Sequence, residues 1–173
     1  LLTPLGWIYG ATVARRLARV RPLRLTIPVV SLGNISLGGT GKTPLAHLIR
    51  SELSAIMSGP VAIVSRGYGR SNSSLQVVTA QSLVSEVGDE PLMIFQKCAV
   101  PVVVGSQRID AAKHLLQQFP EVRVLICDDG LQHLALQRDI EICVMICEVC
   151  QGQIEKPKTI VYTCIKNECM HAA

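Results

Sequence analysis

Apolar residues fall along the chain in short blocks separated by polar stretches that carry glycine and proline. Ile27–Leu32, Val61–Ser65, Val100–Val104, Val122–Cys127 and Ile140–Ile146 are short, largely β-branched runs. They are too short for helices and read as strands. Between them lie segments with helical spacing. Lys42–Met57 places Leu45, Leu48, Ile49 and Leu53 on one face, and Gln107–Gln118 reads the same way. Glu90–Lys97 reads as a short helix with Asp89 as candidate cap and Pro91 in its first turn. Leu75–Thr79 and Ile160–Thr163 are weaker strand candidates, and Gly67–Ser74 is a turn-rich loop. Residues 7–24 predict an amphipathic helix, with Trp7 and Tyr9 near its start and arginines later; Pro22 and Pro28 bracket a break. The alternation of strands and helices predicts an α/β fold with an open, mostly parallel sheet flanked by helices.

Composition agrees. With 173 residues, 49% of them hydrophobic, the chain suffices for one domain with a sizeable core. Only 3% are aromatic, and the remaining Leu, Val, Ile and Ala suit strands covered on both faces. The net charge of +4 matters less than its distribution. Residues 1–51 hold no Asp or Glu, yet Arg15, Arg16, Arg19, Arg21 and Arg24 are bunched together. Such a segment suits an anionic surface, a membrane or nucleic acid. No aromatic platform or recognition motif accompanies the arginines, so nucleic acid is not the expected partner. No stretch reaches the roughly 18 uninterrupted apolar residues of a spanning helix. The charges follow the apolar start, the reverse of a secretory signal, while an Arg-rich, acid-poor start leaves an organellar transit peptide open. The expected organisation is a membrane-associating segment at 1–26, a core at 27–147 and an atypical tail at 148–173, with no second domain.

Two constellations carry chemistry. Ser36-Leu-Gly-Gly-Thr-Gly-Lys-Thr43 follows a predicted strand and opens a predicted helix, the context of a P-loop. Backbone N–H groups of Gly38, Gly39, Thr40 and Gly41 would surround phosphate oxygens, aided by the helix N-terminus. Lys42 would reach the β- and γ-phosphates of ATP and Thr43 would hold Mg²⁺. The pattern departs from the usual one only in Ser36, where glycine is customary. The second constellation is Asp128–Asp129 behind the run Val122–Cys127. Carboxylates at the C-terminal end of a strand lie where ligands bind in an open α/β sheet, and P-loop enzymes hold Mg²⁺ there. Successive strand residues point opposite ways, so one Asp is expected to face the metal and the other to orient something else. The plain alternatives are a ligand-free glycine turn and a solvated acidic turn; their coincidence favours the nucleotide site.

Three further residues are less decided by local chemistry. His133 follows Asp129 closely, and structural and functional roles weigh about equally. Arg66, in Ser65-Arg-Gly-Tyr-Gly69, suits a phosphate of nucleotide or substrate through a bidentate guanidinium, or a mere surface turn. Asp89, in Gly88-Asp-Glu-Pro91, is either a helix cap or the base that accepts a proton from an attacking hydroxyl; local chemistry favours the cap.

Taken together, Asn34–Pro44, Ser65–Gly69, Val87-Gly-Asp-Glu-Pro91, Pro101-Val-Val-Val-Gly105, Asp128-Asp-Gly-Leu-Gln-His133 and Arg138-Asp-Ile-Glu141 resemble, in order and spacing, the tetraacyldisaccharide 4′-kinases of lipid A biosynthesis. The resemblance covers residues 1 to about 146. It implies a P-loop NTPase-like kinase that moves the γ-phosphate of ATP to the 4′-hydroxyl of tetraacyldisaccharide 1-phosphate at the cytoplasmic face of the bacterial inner membrane, or at an organellar membrane in a plant. It implies nucleotide and Mg²⁺ roles for the P-loop and for Asp128 and Asp129, a catalytic role for Asp89 in place of the cap, and active-site positions for Asp129, His133 and Arg66. A lipid A disaccharide precursor and a membrane surface are the implied partners, for a monomer. Members run well beyond 300 residues, and a histidine partner of the catalytic carboxylate and a glutamate near the metal lie in the part without a counterpart here. The expectation is therefore a C-terminally truncated member, and a catalytically inactive nucleotide- or membrane-binding fragment is the second reading.

The tail from about Glu148 is Lys- and Cys-rich, with no helical period. Five of the seven cysteines, Cys143, Cys147, Cys150, Cys164 and Cys169, lie at or near it. Cys147-x2-Cys150 and Cys164-x4-Cys169 have the appearance of a zinc site, but unpaired thiols on a poorly folded end fit better, and Cys98 and Cys127 read as core residues. A reducing compartment is the default. A GTPase lacks support because no Asn-Lys-x-Asp motif occurs, and a partitioning ATPase because Leu37 and Gly38 stand where an early lysine belongs.

Overall fold

The computed structural model describes residues 21–34, 59–131, 133, 135–147, 158–165 and 168–172, with 6, 7, 10–12, 15, 50 and 52. Within these, eight strands form one sheet: β1 (Val29–Asn34), β2 (Val61–Ser65), β3 (Gln76–Val77), β4 (Val102–Val104), β5 (Val124–Cys127), β6 (Ile140–Cys147), β7 (Lys158–Ile165) and β8 (Glu168–Ala172). Their order is β3-β4-β2-β5-β1-β6-β7-β8. The five central strands, β4 to β6, are parallel. Both flanks are antiparallel, β3 on β4 at one edge and β7 and β8 beyond β6 at the other. Helices whose bounds lie within the described residues are α1 (Val84–Val87), α2 (Asp89–Cys98) and α3 (Arg108–Gln118).

The apolar runs become central strands because both their faces are covered. Along β2, Val61 and Ile63 face a cluster with Val30, Leu32, Val102, Val104, Val124, Ile126 and, from α2, Ile94 and Cys98. Ala62 and Val64 face the opposite cluster with Val29, Val103, Leu125, Cys127 and, from α3, Ala111, Ala112 and Leu115. One helix thus packs on each side of the parallel centre. Cys98 and Cys127 are core thiols, as expected, and burial pushes the Cys127 thiol up to about 12.

The expected strand at 61–65 and helix at 107–118 reappear nearly unchanged, with Gln107 as N-cap. Three differences have local causes. The N-terminal helix does not extend to residue 24: Leu23 makes a parallel bridge to Leu136, donating from its N–H to Ala135 O and accepting from Gln137 N, so Arg21 and Arg24 flank an extended segment. Pro22 explains why, since it disfavours helical geometry in the residue before it. The expected strand at 75–79 shrinks to Gln76–Val77, an edge piece against β4. In the tail, β7 contains the expected strand Ile160–Thr163 and runs longer, and β7 and β8 add to the sheet beside β6 by antiparallel pairing. The expected helix 42–57 lies outside the described residues except for Arg50 and Glu52, which are helical.

Among the described residues no helix is long and apolar enough to cross a membrane.

Candidate nucleotide and phosphate-transfer site

The parallel strands end on one edge, and β5 lies between β1 and β2. Asp128, directly after β5, is therefore flanked by the C-terminal end of β1, after which the P-loop sequence follows in the chain, and by the C-terminal end of β2, after which Arg66 follows. Ser36, Gly38, Gly39, Thr40, Gly41, Lys42 and Thr43 themselves lie outside the described residues.

Asp128 is 2% exposed, and its Oδ2 accepts a hydrogen bond from Ser65 Oγ at 3.1 Å. Its backbone is fixed from both sides: the N–H donates to Val64 O at 2.9 Å and the carbonyl accepts from Arg108 Nη2 at 3.2 Å. Asp129 turns the other way. It is exposed and adopts a φ of 51°, a left-handed conformation that reverses the chain after the strand. Asp128 is thus buried and Asp129 exposed, a division made by the left-handed turn beyond β5 rather than by strand alternation.

Contacts from residues 130–141 hold this turn in place. Gly130 N donates to Leu32 O on β1. A Cβ on Gly130 would collide with Ser31 Oγ and lie 3.0 Å from Cys127 Cβ. His133 N donates to Gly130 O and Leu136 N to His133 O, so His133 sits in consecutive turns rather than at a helix start. Arg138 reaches back, donating from Nη1 to Gly130 O (3.2 Å) and Leu131 O (3.1 Å) while its Nε pairs with Glu141 at 2.6 Å. Asp139 Oδ2 accepts from Val29 N at the start of β1. The motif Arg138–Glu141 is thereby a clasp on the acidic turn and on β1.

Arg108 is the residue that the sequence did not single out. It opens α3, is 2% exposed, and spreads its guanidinium between Gly105 O (2.8 Å) and Asp128 O. Its Nε has no hydrogen-bond partner among the described residues. Burial lowers the affinity of this guanidinium for its proton, Cys127, Asp128 and Asp129 oppose that, and Arg66 adds to it. Arginine at a helix start normally reads as solvated, and nothing in the local spacing announces its burial. Burial likewise lowers His133, assisted by the positive fields of Arg108, Arg66 and Arg138 and opposed by Asp129. Arg66, Arg108, Asp128, Asp129 and His133 therefore share one electrostatic neighbourhood at the strand ends.

Asp89 joins through the backbone. Gly67 (φ 69°) and Gly88 (φ 91°) lie against each other: a Cβ on Gly67 would stand 2.6 Å from Val87 O, and one on Gly88 would stand 3.0 Å from Tyr68 O. Only glycine permits this approach. It ties the loop bearing Arg66 and the exposed Tyr68 to the start of α2. Gly88 is the N-cap; Asp89 is the first helical residue, exposed, its Oδ1 accepting from Glu90 N at 2.8 Å. The carboxylate therefore caps by one N–H and remains at the surface. Arg70 supports the same loop, donating to Ser74 O and weakly to Ser106 Oγ at 3.4 Å.

The donors suit a small hard cation. Mg²⁺ is typically held by one or two carboxylates together with substrate phosphates and water, and Asp128, oriented by Ser65, stands next to Asp129 at one strand end. Among the described residues no group of three or more His, Cys, Asp or Glu side chains is placed to hold a metal ion.

The sequence model of the LpxK family, tetraacyldisaccharide-1-P 4′-kinase, matches residues 1–152. The chain belongs to this family. The tetraacyldisaccharide 4′-kinase of Dechloromonas aromatica (strain RCB) is 49% identical over 144 residues, covering 83% of this chain and 43% of that protein. That of Neisseria gonorrhoeae (strain ATCC 700825 / FA 1090) is 44% identical over 149 residues, with coverages of 83% and 43%. LpxK from Aquifex aeolicus, solved by crystallography as an "apo" form in complex with ATP, superposes with a TM-score of 0.66 at 30% identity, covering 82% of this chain and 47% of that one. The chain spans less than half the length of these LpxK relatives.

Proposed function

We propose that the chain is the nucleotide-binding part of an ATP-dependent kinase that phosphorylates the 4′-hydroxyl of tetraacyldisaccharide 1-phosphate in lipid A biosynthesis. The observation that carries this is the placement of Asp128 and Asp129 directly after β5, next to the strand that leads into the P-loop sequence, in a chain of the LpxK family. Lys42 and the backbone of residues 38–41 would hold the ATP phosphates, as the ATP complex of the Aquifex relative supports. Mg²⁺, held by Thr43, Asp128 and Asp129, would neutralise charge on the transferred phosphate. Arg66 would bind a phosphate, His133 would act as a neutral hydrogen-bonding group, and Asp89 would accept the proton of the attacking hydroxyl. The basic segment 1–26 would approach an anionic membrane surface and the lipid A disaccharide precursor within it. The site would then face the cytoplasm at a bacterial inner membrane, or an organellar membrane, with the chain acting as a monomer and binding no nucleic acid.

A second reading, a catalytically inactive nucleotide- or membrane-binding fragment of that kinase, is accommodated by the same placement of Asp128 and Asp129 beside β1. Transfer of labelled phosphate from ATP to the disaccharide lipid, measured beside ATP binding, separates the two. Binding with transfer supports the kinase; binding without transfer supports the fragment. Unchanged ATP binding by Lys42→Ala sinks the P-loop assignment.

A further inference from the structure

β5 ends at Cys127, which lies beside Ser31, while β1 runs on through Leu32 and Gly33 to Asn34. The flank of β1 that faced β5 therefore loses its strand neighbour just before the P-loop sequence, which begins at Ser36. The acidic turn takes that place, one residue out of step. Leu125 N donates to Pro28 O, and a parallel ladder repeats every second residue, so Leu32 O would next be reached by residue 129. Gly130 N reaches it instead, at 2.8 Å. The left-handed conformation of Asp129, with a φ of 51°, absorbs the extra residue.

Two reciprocal fits hold this slipped register. Ser31 and Gly33 lie on the same face of β1, since strand side chains alternate. A Cβ on Gly130 would collide with Ser31 Oγ. A Cβ on Gly33 would stand 2.5 Å from Leu131 Cγ and 2.7 Å from its Cδ1. The Leu131 side chain therefore lies on the bare Cα of Gly33, and Ser31 Oγ lies on the bare Cα of Gly130. Each segment fills the space that the other's glycine leaves. Arg138 holds the same two turn residues by their carbonyls.

We propose that Leu131 is a positioning residue for phosphate transfer. Seated on Gly33, it fixes the acidic turn to the strand that leads into the P-loop sequence, and so sets where Asp128 and Asp129 stand relative to the nucleotide phosphates. The role rests on the kinase reading above; the fit itself does not. Groups that orient metal ligands without touching the ion change metal affinity by about 10–100-fold when altered.

A double-variant cycle in the full chain tests this. Gly33→Ala drives a methyl group into Leu131 and should lift the turn. Adding Leu131→Ala removes Cγ and Cδ1 and leaves the Cβ at 131 about 3.2 Å from the new methyl, so it should relieve the clash. The first readout is amide hydrogen exchange by nuclear magnetic resonance, without ligand. Gly130 is compared with Ile63, whose N–H donates to Pro101 O on β2. Gly33→Ala should speed Gly130 exchange about tenfold while Ile63 changes less than about twofold, and the double variant should recover most of the loss. The second readout is Mn²⁺ affinity in the presence of ATP, by electron paramagnetic resonance. It should fall about tenfold in Gly33→Ala and recover in the double variant. Should Gly33→Ala fail to fold, folding of the double variant is the same relief, and Leu131→Ala alone, which adds no bulk, supplies the exchange comparison.

The proposal is overturned if Gly33→Ala does equal harm with and without Leu131, if Gly130 and Ile63 exchange change together, or if exchange follows the cycle while Mn²⁺ affinity stays constant. A parent chain that binds no Mn²⁺ with ATP overturns the kinase reading instead, and the ligand-free exchange still decides whether Leu131 fixes the turn.

Discussion

Ser65 Oγ donates to Oδ2 of Asp128 at 3.1 Å, and both residues are almost fully buried at the adjoining ends of β2 and β5. A hydroxyl bound to a buried carboxylate does two things. It lowers the cost of keeping the carboxylate away from water, and it fixes the direction of the second oxygen. Ser65→Ala should therefore lower unfolding stability by roughly 1–3 kcal/mol. It should also weaken Mn²⁺ binding, read by electron paramagnetic resonance, more than it weakens ATP binding without metal. Urea denaturation checks the first outcome. A variant with unchanged stability and unchanged metal affinity would show that the hydroxyl neither supports nor orients Asp128.

The contact between Gly67 and Gly88 makes a different kind of demand, on the backbone alone. Gly88 has a φ of 91° and no room for a Cβ beside Tyr68 O. Gly88→Ala should cost roughly 1–3 kcal/mol in strain and displacement. Because Asp89 begins α2 one residue later, the displacement should fall on the proposed base. Phosphate transfer should drop severalfold while ATP affinity stays near its original value, as steady-state kinetics beside equilibrium binding would reveal. An equal loss of both would place the contact's role in overall folding.

How much of the fold and site is legible in the sequence differs by layer. The strand Val61–Ser65 announces itself because burial on both faces leaves an uninterrupted apolar run up to Val64. The acidic pair at the end of the run Val122–Cys127 is legible, but the left-handed turn that separates Asp128 from Asp129 is not. Arg108 is not announced locally: Gly105 O lies three residues away in sequence, but Asp128 O is brought near it only by the pairing of β4 with β2 and of β2 with β5. Of the hairpin β7–β8 only Ile160–Thr163 is legible. The rest depends on antiparallel pairing beside β6, and a strand that borrows its stability from a neighbour need show no strong period of its own.

His133 gives a pH dependence of definite sign. Its folded-state pKa lies below the ordinary value because of burial and the fields of Arg108 and Arg66. Between that lowered value and the unfolded value of about 6.5, the unfolded chain binds more protons, so stability rises with pH. Above about pH 6.5 the residue costs nothing in protonation; as pH falls through the window the protein loses stability, and below the folded value the loss is complete. His133→Gln should flatten this fall, visible as a smaller drop in melting temperature between roughly pH 7.5 and pH 5. An identical drop in both proteins would assign the acid sensitivity elsewhere.

Arg108 can be tested through the same histidine. Its charge depresses the His133 pKa, while its fork holds Gly105 O and Asp128 O. Arg108→Met removes both charge and fork. It should destabilise the fold on the order of 2 kcal/mol by leaving two buried carbonyls without their donor, and it should raise the His133 titration midpoint. Arg108→Lys keeps the charge but cannot span both carbonyls with a planar fork. It should lose stability while leaving His133 low. Nuclear magnetic resonance titration of the imidazole, paired with urea denaturation, reads the two effects separately. If Arg108→Met leaves the His133 midpoint where it was, the guanidinium does not act on the imidazole, and its place beneath the acidic turn is one of packing and carbonyl support alone.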